Sequence, residues 1–160
     1  MMSEQELLAF LATNEFEIRQ TEHPAVFTCE EAELHRADVN AVSTKNLFLC
    51  DKKARRFFLA VTACEKTIKL DGLADQLGVA HLRFGSEDNL IRLLGVTRGS
   101  VTMMGLVNDI EHQVQLWIDA DIWQKETFQS HPLVNTATLI FTKAELERFF
   151  TLTGHSVHIF

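Results

Sequence analysis

Apolar residues recur along the chain at two spacings, one suited to helices and one to strands. Ser3-x-x-Glu6 has the form of a capping box, and behind it Leu7, Leu8, Phe10 and Leu11 make one apolar stripe. Phe16-Glu17-Ile18-Arg19 alternates as a short strand does. Thr28-x-x-Glu31 opens a second helix that ends near Arg36. Two apolar runs, Val42 to Cys50 and Phe57 to Ala63, flank a charged turn and predict a β-hairpin with one or both faces buried. Leu73 to Leu77 and Glu87 to Leu94 have helical spacing, each followed by a glycine (Gly78, Gly95) suited to a left-handed cap. Gly95 to Gly105 has no clean period. Val114 to Asp119 and Thr136 to Phe141 alternate as strands. Thr142-x-x-Glu145 opens a helix through Leu152 that stops at Gly154, and His155 to Phe160 is a closing strand. The mixture lacks the steady alternation of a doubly wound sheet, so the expected class is α/β mixed, one sheet with helices packed around it.

Length and composition narrow the setting. At 160 residues with 46% hydrophobic content, the chain is expected to form a single domain, 1–160, with its own core. The longest apolar runs are too short to span a bilayer, and no basic segment followed by an apolar one opens the chain. A cytoplasmic protein with no membrane partner is expected. Cys29, Cys50 and Cys64 form no CxxC, and an odd count suits a reducing compartment. Cys50 and Cys64 sit among apolar residues and are expected to fill the core. No metal-ligand spacing is present, and neither a metal nor another cofactor is expected.

The net charge of −7 is unevenly spread. Residues 1–40 hold nine acids and two bases, and residues 41–160 balance at thirteen each. Within the neutral part, residues 43–69 carry seven bases against two acids. Exposed charges act within a Debye length of roughly 8–10 Å, so an acidic total leaves room for a polyanionic partner. Lys52, Lys53, Arg55 and Arg56 are the candidate contacts; the alternative is a solvated hairpin turn.

Three segments carry candidate chemistry. In Ser43-Thr-Lys-Asn-Leu-Phe-Leu49, Lys45 stands directly before an apolar run, where an ammonium must reach solvent or be held to pair with negative charge. In Gly99-Ser100-Val101-Thr102, glycine permits close backbone approach, and successive amides in a turn can polarise a carbonyl. The stretch fits neither a Walker A nor a dinucleotide fingerprint. In His131-Pro-Leu-Val-Asn-Thr-Ala-Thr138, proline favours an extended His131, and a histidine can hydrogen bond or move a proton near neutral pH. No G-x-S-x-G elbow supports covalent serine catalysis. Taken singly, each segment also reads as an ordinary strand end, turn or loop.

These segments in this order resemble the YbaK-type aminoacyl-tRNA deacylase family, above all its freestanding prolyl-tRNA editing members that act on alanyl-tRNA(Pro). The resemblance rests on Ser43 to Leu49, Gly95 to Thr102, Leu106-Val-Asn-Asp109, His131 to Thr138 and Gly154-His155. It implies a single mixed sheet partly rolled into a barrel, and hydrolysis in trans of the ester of a mischarged tRNA. Lys45, Gly99 and Ser100 then take the catalytic positions. Asn46, Val101, Thr102, Met103, Met104 and His131 face the substrate, with Val101, Met103 and Met104 lining the acyl pocket. The implied partners are the aminoacylated acceptor end of tRNA and prolyl-tRNA synthetase, with no DNA. Two departures stand out: Arg98 replaces the first proline of the family's Thr-Pro-Gly-Ser, and Met103-Met104 replace a Pro-Phe pair. A deacylase for Cys- or Ser-charged tRNA, or a catalytically silent tRNA- or synthetase-binding module, is the alternative.

Overall fold

The computed structural model describes residues 1–36 and 40–160. Over these the chain runs α1 (Glu4–Thr13), β1 (Arg19–Glu22), α2 (Cys29–Glu33), β2 (Thr44–Asp51), β3 (Phe57–Ala63), α3 (Leu70–Leu77), β4 (Leu82–Phe84) and α4 (Glu87–Leu94). Two 3-10 turns follow, Arg98–Ser100 and Met103–Asn108. Then come β5 (Val114–Ile118), α5 (Ala120–Trp123), β6 (Thr127–Ser130), β7 (Ala137–Thr142), α6 (Lys143–Thr153) and β8 (Val157–Ile159).

The expected hairpin is the spine. β2 and β3 pair antiparallel from Thr44↔Ala63 to Cys50↔Phe57. β4 adds to the outer edge of β2, while β5 and then β8 add in parallel to β3, giving the order β4-β2-β3-β5-β8. Strand β3 is buried on both faces because the sheet is covered on both. Phe57, Leu59 and Val61 enter the main core with α1, α4 and α6, while Phe58 and Ala60 pack beneath Leu73 and Leu77 of α3.

The mixed α/β class is as expected; the single sheet is not. β1, β7 and β6 form a separate antiparallel sheet of three strands. The residues leading into β2 join the two sheets: the Val42 amide donates to Thr127 O at 2.8 Å, and the Gln129 amide donates to Val42 O at 3.1 Å. Both sheets can then present residues at one seam, where β2 begins and β6 ends.

All three N-caps hold. The hydroxyls of Ser3, Thr28 and Thr142 accept from the amides of Glu6, Glu31 and Glu145 at 3.1–3.2 Å, each worth about 1 kcal/mol. Gly78 and Gly95 end α3 and α4 at φ +74° and +68°, where a side chain would strain the backbone. The strand expected at Phe16 begins three residues later. Phe16 is buried instead against the ring of Phe149, and pairing to β7 starts at Arg19.

The cysteines depart from expectation. Cys50 is free and buried, but Cys64 is not core filler: it is disulfide-bonded to Cys29, tying α2 to the end of β3. Among the described residues, no helix is long and apolar enough to cross a membrane.

Candidate active site

Lys45 and Asn46 lie at the start of β2, opposite Thr62 and Val61 of β3. Across the seam stands His131, directly after β6, and from the third side comes the loop after α4 with Gly99 and Val101. Lys45, Asn46, Gly99, Val101 and His131 line one cavity of about 160 Å³, with α2 and the Cys29–Cys64 bridge forming another wall. A smaller recess of about 40 Å³ opens beside it, lined by Asn46, Ser130, His131 and Thr138. Two larger cavities, about 740 Å³ near Lys66 and about 510 Å³ near Met1, contain none of the five residues. The chemistry, rather than the size, marks the site.

The polar groups here are arranged unevenly. Lys45 has no carboxylate partner among the described residues, so its positive charge is unspent. The Oδ1 of Asn46 is buried and has no hydrogen-bond partner among the described residues, a condition that costs about 1–3 kcal/mol until a donor arrives. The amide of Ser100 is committed to Thr97 O at 2.9 Å, but those of Gly99 and Val101 have no acceptor among the described residues. Gly99 also allows close approach: a Cβ there would come within 3.2 Å of the Phe27 ring.

His131 is held in one tautomer. Its Nδ1 lies 2.9 Å from Ala137 O. A carbonyl only accepts, so Nδ1 carries the proton, and in the neutral ring Nε2 is a bare acceptor. Burial pushes the imidazole below the ordinary histidine value; the Ala137 bond opposes this, and nearby His23, with ring centroids 6.2 Å apart, adds to the lowering. His23 is itself fixed by Thr138 Oγ1 at 2.8 Å.

The remaining expected residues fall elsewhere. Ser100 is buried with its amide used. Thr102 is fully buried and acts as a strut: its hydroxyl donates to His131 O at 2.7 Å, lies 3.0 Å from Ser130 Oγ and accepts from the Met104 amide at 3.2 Å. Met103 and Met104, expected to line the acyl pocket, lie in the main core and reach none of the cavities around Asn46. Their thioethers fill space under the loop instead of facing a ligand. Lys52, Lys53, Arg55 and Arg56 are exposed in the turn after β2. Seven strand residues put Lys52 about 23 Å from Lys45. Sequence reasoning missed Ser130, Thr138 and the cysteine bridge as walls of the site. The first two were legible only as neighbours of His131 in one motif.

Lys45, without a carboxylate partner among the described residues, shares this cavity with Gly99, Val101, the buried Oδ1 of Asn46 and the ring of His131, a set of groups suited to hydrolysis of a small acyl ester that carries an amino group. Residues 23–149 match the family described as the aminoacyl-tRNA editing domain, and the chain belongs to that family. Its activity by class is deacylation of mischarged aminoacyl-tRNA. Among its relatives is the prolyl-tRNA editing protein ProX of Acetoanaerobium sticklandii, 32% identical over 98% of this chain and 95% of the relative. Another is prolyl-tRNA synthetase associated domain-containing protein 1 of Danio rerio, 38% identical over 94% of this chain and 83% of the relative. Two crystal structures share the fold. The hypothetical protein APE2540 matches with TM-score 0.73 and 17% identity over 98% of each chain. A protein put forward as a trans-editing enzyme for prolyl tRNA synthetase matches with TM-score 0.72 and 18% identity over 99% and 97%. At these identities the likeness is one of fold alone.

Proposed function

We propose that this chain hydrolyses Ala-tRNA(Pro) in trans, beside prolyl-tRNA synthetase in the cytoplasm, with residues 1–160 working as one editing unit. The observation that supports this reading is that Lys45, Gly99 and Val101 line one cavity. Water attacks the ester carbonyl and the carbonyl oxygen becomes an oxyanion. The two amides stabilise that charge, each contributing a few kcal/mol, about 3 in comparable sites. The intermediate collapses by breaking the carbon–oxygen bond to the ribose, which takes up a proton and leaves as a free hydroxyl. The amino acid departs as the acid.

Lys45 supplies fixed positive potential, against the terminal phosphate or the developing oxyanion. Asn46 Oδ1 and His131 Nε2 are acceptors without donors, and the α-ammonium of an aminoacyl group provides donors for both. His131 therefore positions the substrate and does not transfer a proton. The small recess beside them, about 40 Å³, is on this reading the side-chain pocket, which admits a methyl and excludes a pyrrolidine ring. Such exclusion is needed because a synthetase pocket built for proline rejects a smaller side chain by only about 1–3 kcal/mol.

Hydrolysis rates on tRNA(Pro) charged with Ala, Cys, Ser or Pro test this. Catalytic amounts of protein are expected to clear the Ala ester fastest and to spare the Pro ester. Preference for Cys or Ser moves the assignment to that substrate, and no turnover on any of the four overturns it.

A further inference from the structure

Four hydroxyls, those of Ser43, Thr44, Ser130 and Thr138, line the recess of about 40 Å³ that Asn46 and His131 also face. A hydroxyl has one proton to give and two lone pairs to offer, so where each proton goes decides what a ligand meets. Ser43 Oγ donates to Glu33 Oε1 at 2.7 Å, and Thr44 Oγ1 donates to Gln129 O at 3.2 Å. Thr102 gives its own proton to His131 O at 2.7 Å, so it accepts from Ser130 Oγ at 3.0 Å. All three protons are committed within the protein.

The fourth, Thr138, is set by His23, which follows β1 and lines neither the cavity nor the recess. His23 Nδ1 lies 2.8 Å from Pro24 O, and a carbonyl only accepts, so Nδ1 carries the ring proton. In the neutral ring Nε2 is then an acceptor, and Thr138 Oγ1, 2.8 Å away, donates to it. The His23 ring is kept in place by stacking on His35, with centroids 5.6 Å apart and planes 13° apart. Thr138 therefore turns lone pairs, and no proton, toward the recess. We infer that Thr138 Oγ1 is the third acceptor for the substrate's α-ammonium, beside Asn46 Oδ1 and His131 Nε2, and that His23 is the positioning residue that keeps it an acceptor. The inference rests on the deacylase reading above and deepens its account of the substrate.

The numbers of donors and acceptors match. A primary ammonium has three N–H donors and no acceptor, and the three oxygen and nitrogen atoms named all belong to side chains lining the one recess. Hydrogen bonds to an ionised donor are about twice as strong as neutral ones. A Thr138 proton turned inward would instead point at the positive charge and remove one of the three contacts. His23 prevents this without touching the substrate. The same recess is lined by Ala32 and the Cys64 bridge, which leaves the methyl of an alanyl group an apolar wall.

The test compares tRNA(Pro) charged with alanine and with propionate, which keeps the methyl and lacks the ammonium. The intrinsic reactivities of the two esters cancel when a variant is set against wild type. Thr138→Val keeps the shape and removes the hydroxyl; it should raise KM for the alanyl ester about tenfold, the size of one hydrogen bond to a charged group, with kcat little changed. KM for the propionyl ester should stay near wild type. His23→Phe keeps a ring against His35 but offers no acceptor, and should move KM in the same direction on the alanyl ester alone. In the Thr138→Val background it should add nothing, since His23 acts through that hydroxyl. Thr138→Ser and His23→Gln, which restore a hydroxyl and an acceptor, should recover most of the loss. Equal losses on both esters, or an effect of His23→Phe that persists without the Thr138 hydroxyl, would overturn the inference. Calorimetry with the stable 3′-alanylamido- and 3′-propionylamido-adenosines separates it from the deacylase reading. Tighter binding of the alanyl amide that Thr138→Val abolishes, in a protein that hydrolyses neither ester, would sink the deacylase reading and leave this contact standing. Wild type that does not favour the alanyl amide would remove the contact.

Discussion

Asp109 and His155, 46 residues apart in the chain, meet in the interior with the His155 Nε2 donating to Asp109 Oδ2 at 3.0 Å. The same carboxylate accepts the amides of Gln113 and Val114 at 2.9 and 2.8 Å. One buried acid thus locks the end of the second 3-10 turn to the start of β5 and to the cap of α6. Asp109→Ala strands the amides of Gln113 and Val114 and the ring of His155, so unfolding free energy should fall by about 3 kcal/mol. Chemical denaturation measures it; a change within 0.5 kcal/mol, about the size of a surface effect, would refute the role.

The pair also sets an acid limit to stability. Burial alone would raise the Asp109 carboxyl, but the bonds from His155, Val114 and Gln113 outweigh it and hold the group below the ordinary carboxylate value. A depressed acid contributes stability that is complete above the unfolded value, about 3.9, and is lost as pH falls through the lower folded value. The melting temperature of wild type should therefore drop below about pH 4 by more than that of Asp109→Asn.

Lys45→Ala removes the cation from the cavity shared with Gly99 and His131. Deacylation should fall at least about a hundredfold, mostly in kcat, if its charge is felt in the transition state. Lys45 is half-buried and supports no ion pair among the described residues, so the circular dichroism spectrum and melting temperature should be near those of wild type. Full activity in this variant would remove the mechanism.

His131 predicts the pH profile. Its lowered pKa keeps the ring neutral, with Nε2 available to the substrate ammonium, until the pH is below the ordinary histidine value of about 6.5. On acidification the ring gains a proton, loses its acceptor and repels the ammonium. The acid limb of kcat/KM should therefore lie below pH 6.5, and His131→Ala should flatten that limb while lowering kcat/KM. The same sign holds for stability: a base depressed in the folded state stabilises least at low pH, since the unfolded chain protonates first. An acid limb that His131→Ala does not move would refute the assignment.

Much of this was legible in the chain because it is local. The hairpin from Val42 to Ala63 and the helix from Glu87 to Leu94 are set by apolar spacing, caps and a terminal glycine, all read within a few residues. β4 and β6 were not legible: at three and four residues they carry no readable period and become strands by pairing to β2 and β7. The separation into two sheets depends on the same non-local pairing. In the site, Lys45, Asn46, Gly99, Val101 and His131 stood out by residue type and order. Met103 and Met104 misled because an apolar pair beside a reactive loop looks alike whether it faces a ligand or the core. Thr102 misled similarly, its hydroxyl being committed to the His131 carbonyl.

The cysteine bridge was the largest departure, and its consequence can be measured. Cys29 and Cys64, 35 residues apart, are joined with their Cα atoms at 5.7 Å in the wall of the cavity that Lys45 lines. Helix α2 has five residues, none of them buried, and the bridge ties it to the end of β3, beside the Ser43 hydroxyl, which donates to Glu33 Oε1 at 2.7 Å. Closing a loop of this length restricts the unfolded chain by about 2–4 kcal/mol. Treatment with a dithiol, which takes the two electrons of reduction from its own thiols and becomes the cyclic disulfide, should lower the melting temperature; Cys29→Ser should match the reduced protein and no longer respond. Loosening this wall should raise KM for charged tRNA more than it lowers kcat, because Lys45, Gly99 and Val101 are held by β2 and the loop after α4. Alkylation followed by mass spectrometry checks the premise: without reductant and under denaturing conditions one thiol should react, that of Cys50, and with reductant three. Three reactive thiols without reductant would show that the bridge does not form.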